Sequence, residues 1–310
     1  MHHEVQERRG EKYHYLSENM RLGKSRWKKI RVYVGKGNLS KKKMESLTDK
    51  KKKELKKRIG EFKKSRDPLL SMLTQKEINE LEMVKKRWKM WSDKAESSLW
   101  ENYYEWFVTQ FTYDTNSIEG SSVTLQETGL ILFDKVAPEG RTIKEIRETE
   151  NHKEAFDFML NYKDDITKIL VLKLHKLLMH NILWKYSGNF RDVQVVIRGA
   201  KTVPPPPAHV EKQFKQLMRW YGSNKRKYHP IVIASYFHAA FEHVHPFRDG
   251  NGRVGRLLLN FILRKNGFPM IDVKKEDRFK YYKCLEESQT NNNLKPMVDL
   301  IANYLLKTEL

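Results

Sequence analysis

A chain of 310 residues, 39% hydrophobic and 32% charged, can bury at least one full core, and its formal net charge of +21 is strongly basic. The single cysteine, Cys284, excludes an internal disulfide framework, and no apolar run approaches the roughly 20 residues that cross a bilayer. With no apolar stretch near Met1 suited to a secretory signal, the expectation is a cytoplasmic protein without a membrane span.

The charge is concentrated at the start. Residues 1–67 hold 23 Lys and Arg against 9 Asp and Glu, so +14 of the excess lies there. Such a patch attracts nucleic acid, an acidic protein or a membrane surface, although a lysine run is more often a solvated helix face. Tyr13, Tyr15 and Leu16, a turn near Gly23-Lys24-Ser25, and the alternating Ile30, Val32 and Val34 predict a β-hairpin. From Ser40, the wide spacing of Leu47, Leu55, Ile59 and Phe62 in lysine-rich sequence predicts a thinly amphipathic, exposed helix stopped near Asp67-Pro68. Residues 1–70 are therefore read as a basic segment of hairpin and helix.

Ile78, Leu81, Val84, Trp88, Trp91, Leu99, Tyr103, Phe107 and Phe111 then recur at three to four residues with lapses, predicting one long aromatic-striped helix over 71–112. Such a stripe is more often core or interface than a ligand box, and Trp88, Trp91 and Trp100 offer a surface for a homodimer. Gly120 ends a helix, and Thr124 with Glu127 has the form of a capping box opening another. Helical pattern continues over 143–160 and 166–183. Gly188, the run Val193-Gln194-Val195-Val196-Ile197 and four prolines at 204–207 break it as a short β-excursion, after which helix returns. The fold class is mainly α.

Residues 230–244 are apolar nearly all round, as a buried helix should be, and residues 254–265 carry a second apolar run that stops before Gly267. Between them lies His245-Pro246-Phe247-Arg248-Asp249-Gly250-Asn251-Gly252-Arg253-Val254-Gly255-Arg256. Gly250-Asn251-Gly252 ahead of a helix lets backbone N–H groups converge on an anion, and the helix dipole adds positive potential. Arg253 and Arg256, three apart, share a face of the first turn and suit a polyphosphate. Asp249 suits Mg²⁺, which bridges one carboxylate to phosphate oxygens. His245, with an ordinary pKa of about 6.5, suits a general base. These are the parts of a phosphoryl or nucleotidyl transferase. Each residue alone has a blander reading. A Gly-Asn-Gly turn is usually just a turn, and His238, His243 and His245 lack the second cluster that zinc would need.

The twelve-residue pattern resembles the signature of the Fic (filamentation induced by cAMP) family, His-Pro-Phe-x-Asp/Glu-Gly-Asn-Gly-Arg-x-x-Arg, at every fixed position. The resemblance implies a Fic-type helical core over 113–310 whose members mostly transfer AMP from ATP to a Ser, Thr or Tyr hydroxyl of a protein. It makes His245 the general base, Phe247 a packing residue and Asp249 the Mg²⁺ ligand. It gives Gly250, Asn251 and Gly252 the α- and β-phosphates, and Arg253 and Arg256 the outer ones. Gly188-Asn189-Phe190-Arg191 with Val195, Val196 and Ile197 is similar to the family's flap, a β-hairpin that aligns a target by main-chain pairing. Tyr281 and Tyr282 match paired tyrosines beside the adenine.

Thr115-x-x-x-Glu119-Gly120 is similar to the family's inhibitory motif, at 115–120 ahead of the core. A bidentate pair of Glu119 with Arg256 would remove the clamp for the γ-phosphate. The implied protein is an ATP- and Mg²⁺-dependent adenylyltransferase held off by Glu119. Two rivals stand beside it: removal of AMP at the same site, and a nucleotide-binding regulator that contacts nucleic acid through the basic N-terminus.

Overall fold

Two units make up the chain, Met1–Ser71 and Met72–Leu310. The structure, a computed structural model, describes residues 1–22, 26–183, 185–197 and 200–308. In the first unit, strands β1 (His2–Arg8), β2 (Glu11–Arg21) and β3 (Trp27–Lys36) form an antiparallel sheet in the order β1-β2-β3. Helix α1 (Lys41–Arg66) packs on it, burying Leu16, Val32 and Val34 against Leu55. Ser40 caps α1 by accepting from the Lys43 N–H, and the helix stops at Asp67 before Pro68. β2 and β3 are the expected hairpin, and its turn at Gly23-Lys24-Ser25 lies outside the described residues. β1 is an addition. Its one aliphatic residue, Val5, is exposed, because an edge strand paired on one side needs no apolar pattern.

The second unit is helical. In place of the single helix expected over 71–112 the chain forms two, α2 (Gln75–Lys94) and α3 (Ser97–Ile118). The backbone turns extended at Ala95 and Glu96, and α3 folds back so that aromatics from both helices meet. Trp91 lies 4.9 Å from Trp100 and Trp88 5.3 Å from Tyr103, between ring centroids. Ring clustering thus overrode a periodicity that reads continuously through the break. Helices α4 (Leu125–Gly129), α5 (Ile143–Asn161), α6 (Lys168–Leu178), α7 (Pro207–Asn224), α8 (Pro230–Val244), α9 (Asn251–Lys265), α10 (Arg278–Thr290) and α11 (Lys295–Leu306) follow.

α8 and α9 are the centre of this unit. α9 packs on α3, α5, α6 and α8, while α8 also meets α7, α10 and α11. Phe237 and Phe241 of α8 and Leu257, Leu258 and Phe261 of α9 are completely buried, each contributing about 1.5–3 kcal/mol. Gly255 permits the close approach of the pair, since a Cβ there would meet Glu242 Oε1 at 2.4 Å. The loop joining α8 to α9 is therefore anchored at both ends in core.

The expected β-hairpin flap is corrected. Among the described residues of Met72–Leu310 there is no strand, and 193–197 is irregular and joins no ladder. Side chains take the carbonyls that a ladder would use: Arg191 Nη1 donates to Val193 O at 3.0 Å, and Gln194 Nε2 donates to Val195 O and Pro204 O. No helix among the described residues is long and apolar enough to cross a membrane.

Candidate active site

α8 stops because His245 turns left-handed, with φ 46° and ψ 62°, while its N–H still bonds Phe241 O at 2.9 Å. Gly250 turns left-handed again, with φ 77°, and opens α9. Between the turns, the Asn251 side chain closes the loop on itself, Nδ2 donating to Phe247 O at 2.9 Å and Oδ1 accepting from Phe247 N at 2.8 Å. The resemblance gave Asn251 to phosphate. Its side chain is instead spent inside the loop, leaving its backbone N–H with those of Gly252 and Arg253 as orphan donors at the helix start.

Phe247 is buried and stacks on His175, with centroids 3.7 Å apart and planes 4° from parallel. His175 Nδ1 accepts from Gly188 N at 2.9 Å, so Nε2 carries the hydrogen that meets Asp249 O at 3.2 Å. Burial lowers this imidazole to about 4, which keeps it neutral. Arg191 binds the loop from the other side. Its N–H reaches Pro246 O at 2.9 Å, Nε reaches His245 O at 2.8 Å, and Nη2 reaches Pro205 O.

His245 Nδ1 lies 3.2 Å from Glu242 O. A carbonyl only accepts, so Nδ1 holds the hydrogen and Nε2 keeps its lone pair. Burial lowers His245 to about 4. Glu242 Oε2 is 3.8 Å from the same Nδ1, while Oε1 is buried without a hydrogen-bond partner. Burial pushes the Glu242 carboxyl up to about 8, so it is mostly protonated at neutral pH.

Arg256 is completely enclosed. Nε donates to Thr115 Oγ1 at 2.6 Å, and Nη2 donates to Glu119 Oε1 at 2.6 Å and to Thr115 O at 3.2 Å. Burial opposes its charge, and the Glu119 carboxylate more than offsets this, so its pKa is raised. Thr115 and Glu119 lie four apart, hence on one face of α3, which Gly120 ends with φ 101°. The expected bidentate pair is corrected: one Glu119 oxygen meets Arg256, because Thr115 occupies Nε. Arg253 pairs with Glu148 at 3.0 Å and Asp249 at 3.4 Å. Asp249 Oδ1 also accepts from Gly250 N at 2.6 Å. A cavity of about 180 Å³ opens here, walled by Glu119, Glu148, Asp249, Arg253 and Lys144.

On the other side of Glu119 a larger cleft of about 570 Å³ is lined by His245, Gly252, Arg256, Tyr281, Tyr282 and Ile197. Tyr281 is buried with its hydroxyl 2.7 Å from His238 Nε2, whereas Tyr282 is half-exposed and donates to Ile118 O at 3.1 Å. Ile197 reaches this cleft, while Val196 points to solvent and Val195 is half-buried. Sequence reading missed His175, Arg191 as a brace, Glu148 and Glu242. Only Glu242, a lone acid inside an apolar helix, carried a signal.

A model described as the Fic/DOC family matches residues 165–263. The chain is 30% identical over 246 residues to the protein adenylyltransferase Fic of Nematostella vectensis, covering 78% of this chain and 56% of that protein. It is 34% identical over 203 residues to the Drosophila melanogaster protein of the same name, covering 64% and 41% respectively. It thus spans about half the length of these curated relatives. Among solved structures, Fic-1 from C. elegans superposes with a TM-score of 0.66 at 28% identity, over 77% of this chain and 71% of that one. A Fic domain containing signaling protein from Bacteroides thetaiotaomicron, also at 0.66 but 23% identical, shares the fold over 74% of this chain and 94% of its own.

Proposed function

We propose that this chain, whose residues 165–263 match the Fic/DOC family model and whose site has the geometry described above, is a protein adenylyltransferase. The hydroxyl oxygen of a Ser, Thr or Tyr on a target protein attacks the α-phosphorus of ATP. Its proton passes to Nε2 of His245, and the bond from the α-phosphorus to pyrophosphate breaks. What carries the reading is a neutral, buried imidazole with a free Nε2 sharing one cleft with a helix start and a buried guanidinium. Orphan N–H groups at Asn251, Gly252 and Arg253 suit the inner phosphates, and Arg253 and Arg256 suit the outer ones. Tyr281 and Tyr282 wall the space for adenine. The backbone of Val195, Val196 and Ile197, which lies in no strand ladder, suits a target segment added as a strand.

Mg²⁺ fits at Asp249. Its Oδ2 has no protein partner among the described residues and the side chain is 43% exposed, which suits an ion that keeps waters and shares one carboxylate with phosphate oxygens. Once bound, the ion would neutralise charge on the phosphates.

Glu119 holds this activity off in our reading, with Thr115 fixing Arg256 and Gly120 ending α3 so that the carboxylate faces the guanidinium. The test is to incubate the Glu119→Gly protein with α-labelled ATP and a cell lysate and identify AMP-bearing proteins by mass spectrometry. Absence of labelled protein, its own chain included, would sink the proposal. AMP release from an already modified protein by the wild type would favour the reverse reaction at the same site.

A further inference from the structure

α1 covers one face of the N-terminal sheet, and strand alternation sends Tyr13, Tyr15, Tyr33 and Trp27 to the other. Tyr33 and Trp27 are 46% and 60% exposed. The register sets Tyr15 opposite Tyr33 and Arg21 opposite Trp27, and an irregularity at His14/Tyr15 brings Lys36 opposite Tyr13 on this same outer face. Ring centroids of Tyr33 lie 5.7 Å from Tyr15 and 6.5 Å from Tyr13. Cations stand against these rings: Lys36 5.6 Å from Tyr13, Arg31 5.9 Å from Tyr15 and Arg21 5.8 Å from Trp27.

A merely solvated sheet face has no need of four large rings, and the core of this unit is already closed by α1 on the opposite side. The charge supplies the complement, since the three strands and their turns, residues 1–36, carry a net +6, from 10 Lys and Arg minus 4 Glu. Acids at this face are paired with its cations, Glu4 with Lys29 at 3.2 Å and Arg31 at 3.9 Å, and Glu11 with Lys36, so phosphates would take over these pairings.

We propose that this outer sheet face binds single-stranded nucleic acid. Bases stack on the exposed Tyr33 and Trp27 rings, Tyr13 and Tyr15 extend the platform, and the phosphates follow Arg21, Arg31 and Lys36. Stacking on flat rings requires bases with a free face, so a duplex, whose bases already stack on one another, is the poorer ligand. The inference is independent of AMP transfer.

Fluorescence anisotropy on the full chain tests it, with labelled oligo(U), oligo(dT) and a DNA duplex, each about 12 units long to suit a platform of this class. Both single strands are expected to bind at least tenfold tighter than the duplex. Trp27→Ala with Tyr33→Ala should weaken single-strand binding at least tenfold. Tyr33→Phe, which keeps the ring, should retain it and thereby separates stacking from misfolding. Arg31→Gln with Lys36→Gln should lower the slope of affinity against salt by about two phosphate contacts, while Lys50→Gln with Lys53→Gln on α1 should change affinity less than threefold. Equal binding of duplex and single strand, unchanged binding by the double alanine variant, or binding only to anionic vesicles or polyglutamate at the same salt would each overturn the proposal.

Discussion

A Cβ on residue 252 would lie 2.2 Å from Oε1 of Glu119. The glycine leaves the space that the carboxylate fills, directly over the first turn of α9. An anion seated on those N–H groups and the Glu119 carboxylate therefore compete for one volume and for one guanidinium, that of Arg256.

If Glu119 is the block, Glu119→Gly removes a charged hydrogen bond worth about 1.5–3 kcal/mol, and AMP incorporation from labelled ATP is expected to rise about 10- to 100-fold. Glu119→Gln keeps the shape without the charge and should rise less. Equal labelling of wild type and Glu119→Gly would remove the block from consideration.

His245→Ala in the Glu119→Gly background should abolish transfer while leaving the melting temperature nearly unchanged. The pH profile is more informative. Burial lowers His245 to about 4, so the neutral base persists far below the ordinary range, and the acid limb should fall between about pH 5 and 4. A half-maximal rate near pH 6.5 would show an imidazole open to water.

Arg191 joins the backbone at His245 to Val193 and Pro205 through its side chain. Arg191→Met leaves these carbonyls without donors, at a cost on the order of 3 kcal/mol, and should reduce transfer at least tenfold even without Glu119. Arg191→Lys should rescue neither, since one ammonium cannot span the fork. Wild-type melting and activity in Arg191→Met would show that the brace is dispensable.

Glu242 gives a stability signature. Its folded pKa of about 8 exceeds the ordinary 4.5, so the stability it contributes is fully present below pH 4.5 and is lost as pH rises through 8. Glu242→Gln mimics the protonated carboxyl. It should therefore melt progressively higher than wild type as pH is raised from 5 to 8, with transfer at pH 7 within threefold in the Glu119→Gly background. A constant difference in melting temperature across that range would contradict the protonated assignment.

How much of this is legible in sequence depends on the distance between partners. The loop on residues 245–256 is legible because its turns and the following helix are set by neighbours, and Thr115 and Glu119 because four residues place them on one helical face. Arg191 is not, since its partner His245 lies 54 residues away, nor is the stack of His175 beneath the loop, whose bond to Asp249 spans 74. The break between α2 and α3 contains neither Gly nor Pro, so only the meeting of rings across it explains it. β1 escapes for the opposite reason, as an edge strand with no apolar pattern to read. The segment 193–197 departs from the hairpin expectation, its carbonyls at Val193 and Val195 being satisfied by side chains of Arg191 and Gln194.

The two hydrogen bonds from Asn251 to Phe247 have a thermodynamic meaning. They fix the backbone from His245 to the start of α9 when the protein folds, so the conformational entropy of that turn is lost before any ligand arrives. Whatever anion settles there meets a rigid cast, and its affinity is not reduced by the ordering of a floppy loop. On the reading proposed above, the part that would have to move is Glu119, not the loop.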